Sequence, residues 1–146
     1  MAPRAFLELA RELVAKPTEA SWRTAVSRAY YAIFHVARLK LREWGFQIQQ
    51  SDQTRVGVAR RISKVGIPEW EELARRLTEL RSLRNLVDYD LNQPFSQQAA
   101  MDGLAEAELA MTTLSGKLSA EERQQAIEAI RQYERDVLRQ ITWRGT

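Results

Sequence analysis

The sequence predicts an all-α fold, an up-and-down antiparallel bundle of about five to six helices. Three observations lead there. No stretch alternates apolar and polar residues beside β-branched clusters, so strand signals are missing. Apolar residues recur at helical spacing along nearly the whole chain, and only four prolines interrupt it. The breaks between periodic stretches are short, which favours antiparallel packing of neighbouring helices. A chain of 146 residues with 45% hydrophobic content suits a single domain, 1–146, around one core.

Each element has its own signal. A first helix is predicted over about residues 3–16, with Phe6, Leu7, Leu9, Ala10, Leu13 and Val14 on its apolar side. Pro17 ends it, because proline disfavours helical geometry in the residue before it. Thr18 then suits the N-cap of a long second helix reaching Trp44-Gly45. Residues 45–52 read as a loop, followed by a short basic helix over about 53–64. Pro68 fits the first turn of the next helix, with Glu69, Glu71 and Glu72 favoured by the helix dipole. That helix runs to about Leu91, and another spans about 96–115. Ser119 with Glu122 makes a capping box that opens a last helix to about Ile141.

Composition narrows the functional classes. The absence of cysteine removes disulfides and thiolate metal sites, and a single histidine leaves too few ligands for structural zinc, so no metal and no cofactor is expected. No apolar run approaches a membrane span, and Met1-Ala2-Pro3-Arg4 lacks the grammar of a signal peptide. The expectation is a cytoplasmic, unprocessed protein with no membrane partner. Glycine-rich phosphate loops, serine elbows and metalloprotease helix motifs are missing as well. The net charge of +3 is unevenly spread: residues 1–92 carry 16 basic and 11 acidic side chains, and the remainder 6 and 8. Arg55, Arg60, Arg61 and Lys64 form a run with no acid between them. Such a run either contacts phosphate or is a solvated helix face.

Two helices carry the candidate chemistry. The second is apolar nearly all round, as a central bundle helix must be, yet it also carries Ser27, Tyr30, Tyr31 and His35. On the helix opened by Pro68, Leu73, Leu77, Leu80, Val87 and Leu91 make one stripe, and Arg84 falls in the middle of it. A guanidinium there is costly unless it is paired or opens onto a cleft. Asp88 lies one turn later on the same side, Arg81 is adjacent, and Asn85 and Tyr89 flank the other edge. Either Arg84 and Asp88 form a structural pair, completed by a hydroxyl from Tyr30 or Ser27, or Arg84 faces a groove and binds phosphate. Trp22, Trp44 and Trp70 are spaced as core and helix-end residues, whereas Trp143, in a short polar tail, is expected to contact a partner subunit.

The string Arg23-Thr24-Ala25-Val26-Ser27-Arg28-Ala29-Tyr30-Tyr31-Ala32-Ile33-Phe34-His35 resembles the second-helix signature of HEPN proteins. The string Leu80-Arg81-Ser82-Leu83-Arg84-Asn85-Leu86-Val87-Asp88-Tyr89 resembles their arginine-bearing helix. The resemblance covers about residues 5–115 and leaves the last helix, about 119–141, outside it. It implies an antiparallel bundle that forms a homodimer, with the arginine-bearing helices facing across the interface. Active members of the family are metal-independent RNases that use an arginine followed about four to six residues later by histidine. Others are toxins paired with a small nucleotidyltransferase, or bind nucleotides without cleaving RNA. In this sequence the histidine slot after Arg84 holds Tyr89, and the sole histidine, His35, lies on the second helix.

Two functions follow as expectations. The first is a homodimer of a bacterial toxin–antitoxin or defence module that binds RNA and, if its degenerate motif is active, cleaves it without metal. Arg84, Asp88, Tyr89 and His35 would then carry the catalysis, and Arg81, Asn85 and Tyr31 would hold phosphate. The second is a catalytically silent interaction module that binds a nucleotidyltransferase partner or a nucleotide, with Arg84–Asp88 purely structural.

Overall fold

The computed structural model describes residues 1–49 and 52–145, with side chains for all of these except 52–54. They form an all-α bundle of six helices: α1 (Arg4–Val14), α2 (Glu19–Glu43), α3 (Asp52–Ile62), α4 (Pro68–Tyr89), α5 (Gln97–Ser115) and α6 (Ala120–Tyr133). None of these helices is long and apolar enough to cross a membrane.

The local signals place the helix starts. The Thr18 hydroxyl accepts from the Ser21 amide at 3.2 Å and opens α2, and Ser96 caps α5 in the same way at 3.0 Å. Pro68 stands in the first turn of α4. At α6 the capping box is complete, with Ser119 accepting from the Glu122 amide and Glu122 from the Ser119 amide, both at 3.0 Å.

Helix α2 is the central element and packs against α1, α3, α4 and α5. Ala25, Ala29, Ala32 and Ala37 are fully buried along it, and their small side chains let neighbouring backbones approach closely. Pairings between the helices fix their directions. Arg4 bonds Ser115 and Arg11 bonds Glu108, so α1 and α5 run antiparallel. Ser27 meets Asp88, Tyr31 meets Arg84 and Trp44 stacks on Trp70, so α2 and α4 are antiparallel too. Leu83 over Gly103 and Arg76 on Glu106 give the same relation for α4 and α5. On α1, Leu7 and Ala10 are buried, but Leu9 is exposed, so the apolar stripe is narrower than predicted. Leu91 also departs from expectation: it lies beyond the end of α4, 74% exposed, and does not extend the seam.

The C-terminal region differs most from the sequence prediction. The last helix does not reach Ile141. After Tyr133 the chain makes a π-helical turn, Glu134–Leu138, and Arg139 turns it back with φ 52. The reason is long-range. Glu134 is buried and paired with Arg61 of α3 at 2.8 Å, and it also accepts from the Thr142 amide at 3.0 Å. Holding both partners requires the chain to reverse. The tail then lies beside residues 45–47, with Phe46 and Trp143 forming an antiparallel bridge. The Trp143 indole donates to the Trp44 carbonyl at 3.1 Å and carries the Arg131 guanidinium 3.9 Å above its ring. The tail tryptophan expected to contact a partner subunit is thus docked on its own chain.

Gly45 makes this docking possible. Its φ of +105° suits glycine, and a β-carbon there would stand 2.7 Å from Trp143 Nε1 and 2.8 Å from the Gly145 carbonyl. Gly45→Ala is expected to cost about 2 kcal/mol or more in urea unfolding and to release the tail. A loss below about 0.5 kcal/mol, typical of a neutral surface change, would contradict this account of the docking.

Candidate functional site

The site lies where α1, α2, α3 and α4 meet around the half-buried ring of Tyr31. Helix α2 presents Ser27, Arg28, Tyr31 and His35 at three- and four-residue spacing, so all four stand on one side. Helix α4 brings Arg84, Asn85 and Asp88 against them.

Arg84 keeps its place in the apolar seam with a side chain only 11% exposed. Its Nη2 donates to the Tyr31 hydroxyl at 2.8 Å and its Nη1 to Asn85 Oδ1 at 2.9 Å. Asp88 Oδ2 stands 3.2 Å from Arg84 Nε and also accepts from the Ser27 hydroxyl at 3.1 Å. The Arg84–Asp88 contact is electrostatic, because the buried Nε–H has no aligned acceptor among the described residues. Burial pulls the Arg84 pKa down, but the Tyr31 hydroxyl, followed by Tyr89 and Asp88, holds it above its ordinary value. The group stays charged at any working pH.

Three guanidinium groups gather on the Tyr31 ring: Arg28 at 4.5 Å, Arg55 at 5.2 Å and Arg84 at 5.4 Å from its centre. Arg28 also lies over Phe6 at 5.6 Å, and Arg55 over Phe34 at 5.5 Å. His35 stacks on Tyr31 and Phe6, with ring centres 6.1 Å and 6.3 Å apart. Tyr31 therefore stands between His35 and Arg84, with its ring on one and its hydroxyl on the other.

The sequence-predicted residues divide as follows. Tyr31, Arg84, Asn85, Asp88 and His35 come together. The hydroxyl that completes the network on Arg84 is that of Tyr31, with Ser27 on Asp88; Tyr30 makes neither contact. Tyr89 is 73% exposed and lies over Arg84 only at 5.7 Å. Arg81 does not join Arg84 on the Tyr31 ring, and it lines the groove between α3 and α4 instead. The basic run separates: Arg61 is buried against Glu134, Lys64 covers the Tyr133 ring at 4.9 Å, and Arg60 is exposed. A buried, paired Arg61 has no access to phosphate. Sequence reasoning missed the roles of Phe6 and Arg28. For Arg28 a signal existed, since it precedes Tyr31 by three residues on the same helix face. For Phe6, in an apolar stripe, none did.

Burial, then the charges of Arg38 and Arg55, push the His35 pKa below its ordinary 6.5. The ring is therefore neutral at neutral pH. Its unfolded counterpart binds a proton more readily, so the stability tied to the neutral ring is present above about pH 6.5 and is lost as pH falls through the lower folded value. His35→Gln is expected to flatten this acid-side fall, read from urea unfolding at neutral and mildly acidic pH. An unchanged slope would assign the fall to other groups.

No family model matches the chain, and no curated protein or solved structure matches it either. The functional reading accordingly rests on the geometry of the site and on the two sequence strings that resemble HEPN proteins.

Proposed function

We propose that the protein binds RNA through the face built around Tyr31 and Arg84, as a HEPN-type member of a toxin–antitoxin or defence module. The observation that carries this reading is the convergence of Arg28, Arg55 and Arg84 on one aromatic ring, with the Asp88 carboxylate beside Arg84. Guanidinium forks bind phosphate oxygens, and arginine planes and aromatic rings stack on unpaired bases. The sequence resemblance adds a homodimer to the proposal.

Cleavage is the more demanding form of the same reading. The RNA 2′-hydroxyl can attack the adjacent 3′-phosphate, forming a 2′,3′-cyclic phosphate and expelling the 5′-oxygen of the next nucleotide, if a base takes its proton, a cation meets the developing charge and water protonates the leaving oxygen. His35, stacked on the Tyr31 ring, is the candidate base, and Arg84, bonded to the Tyr31 hydroxyl, the candidate cation. A second reading has its own support: Tyr31, Asn85 and Asp88 all hold Arg84, and Tyr89 projects outward from the slot where active relatives carry histidine. That arrangement suits a silent module docking a nucleotidyltransferase.

Incubation of transfer RNA and total RNA with purified protein in EDTA tests these readings, beside Arg84→Ala, Arg84→Lys and His35→Ala. Gel shift of wild type that is lost in folded Arg84→Ala supports RNA binding. Cleavage lost in both Arg84→Ala and His35→Ala supports catalysis, and the absence of shift and cleavage in wild type would leave the interaction module.

A further inference from the structure

A groove of about 600 Å³ runs between α3 and α4, next to the Tyr31–Arg84 face. Its floor is apolar, made by Ala59, Ala74 and Leu77, and its rim carries Arg55, Arg60 and Arg81. Glu71 and Glu79 also border it, but Glu79 is held by Arg75 at 2.6 Å. Arg60 is exposed and Arg81 half-buried, and neither guanidinium has an ion-pair or hydrogen-bond partner among the described residues. Two links make the groove continuous with the candidate site. Arg55 belongs to both, lining the groove while its guanidinium lies 5.2 Å from the Tyr31 ring. Arg81 precedes Arg84 by three residues on α4, which puts the two side by side on one helix surface.

We infer that this groove is a second nucleotide subsite, which takes the neighbouring base of a single-stranded RNA whose phosphate sits at Arg84. The inference rests on the RNA-binding reading and specifies its substrate as unpaired RNA. The flat face of a base matches the apolar floor. A phosphodiester leaving it meets Arg60 and Arg81, and the backbone then passes Arg55 toward Tyr31. A base held in a duplex is stacked and paired, and cannot lie on this floor without being extruded.

The test is fluorescence anisotropy with labelled di- and tetranucleotide RNA and a duplex of the same sequence, using the full chain. Thr78 is exposed at the groove's edge, so Thr78→Trp fills the groove without entering the core. The expected result is that Thr78→Trp weakens dinucleotide and tetranucleotide binding alike, about tenfold, the effect of uncovering roughly 50 Å² of apolar surface. Arg60→Ala and Arg81→Ala should each reduce the salt dependence of tetranucleotide binding by about 0.7 in log–log slope. Equal affinity for tetranucleotide in wild type and folded Thr78→Trp, or a duplex bound as tightly as the single strand, would overturn the subsite. If Arg84→Ala abolishes binding while Thr78→Trp does not alter it, the groove fails and the Tyr31–Arg84 face stands. No RNA binding by wild type overturns both.

Discussion

Glu134→Ala is expected to destabilise the protein by about 3–5 kcal/mol, the cost of leaving a buried charge without its partner. The Arg61 and Glu134 side chains are 3% and 1% exposed, and their 2.8 Å contact joins α3 to the turn after α6. Arg61 also donates to the Gly57 carbonyl at 3.1 Å, which fixes its direction, and Glu134 holds the Thr142 amide. Removing the carboxylate therefore exposes three weaknesses together: an unpaired guanidinium, an unpaired amide and a cavity. Urea unfolding reads the loss. The double replacement Arg61→Met with Glu134→Leu is expected to recover much of it, because no charge then remains buried. A loss under about 1 kcal/mol for Glu134→Ala would place the pair with exposed salt bridges and contradict its role in turning the chain.

Arg23→Ala is the second large effect, at about 3 kcal/mol or more. Arg23, on α2, is 7% exposed and reaches past the end of α4. Its Nη1 donates to the carbonyls of Val87 at 3.0 Å and Asp90 at 2.9 Å, and its Nη2 donates to that of Gln93. Those carbonyls belong to the last turn of α4 and the loop after it, where a helix leaves acceptors unpaired. Charged hydrogen bonds contribute about 1.5–3 kcal/mol each, and truncation uncovers several acceptors together. Arg23→Lys keeps the charge without the planar fork and should recover only part of the stability. Because Asp88 lies in the same turn, hydrogen exchange should quicken at Val87–Asp90 in Arg23→Ala. Unchanged exchange there would contradict the role of Arg23 in holding this turn.

The sequence disclosed those features whose causes are local. Thr18, Pro68 and the Ser119–Glu122 box mark helix starts through contacts within one turn, and the structure places them so. Arg84 and Asp88 were legible for the same reason, being one turn apart in an otherwise apolar stripe. What escaped depends on partners distant in the chain. Nothing near Glu134 announces that Arg61, 73 residues earlier, will bury it and reverse the chain before Ile141. Arg55 and Arg61 look alike in one basic run, yet packing sends the first to an aromatic ring and the second into the core. The Tyr31 cluster needs four helices to assemble it, and only the residues on α2 and α4 announced themselves by spacing.

The central claim, that the guanidinium cluster on Tyr31 is an RNA-binding face, is tested most directly by the salt dependence of binding. A labelled single-stranded RNA is titrated with wild type and with Arg28→Ala, Arg55→Ala and Arg84→Ala at several salt concentrations. Three phosphate contacts predict a wild-type slope of about −2 in log affinity against log salt, shallower by about 0.7 in each folded variant. No saturable binding by wild type, or a slope indifferent to all three substitutions, would contradict the account.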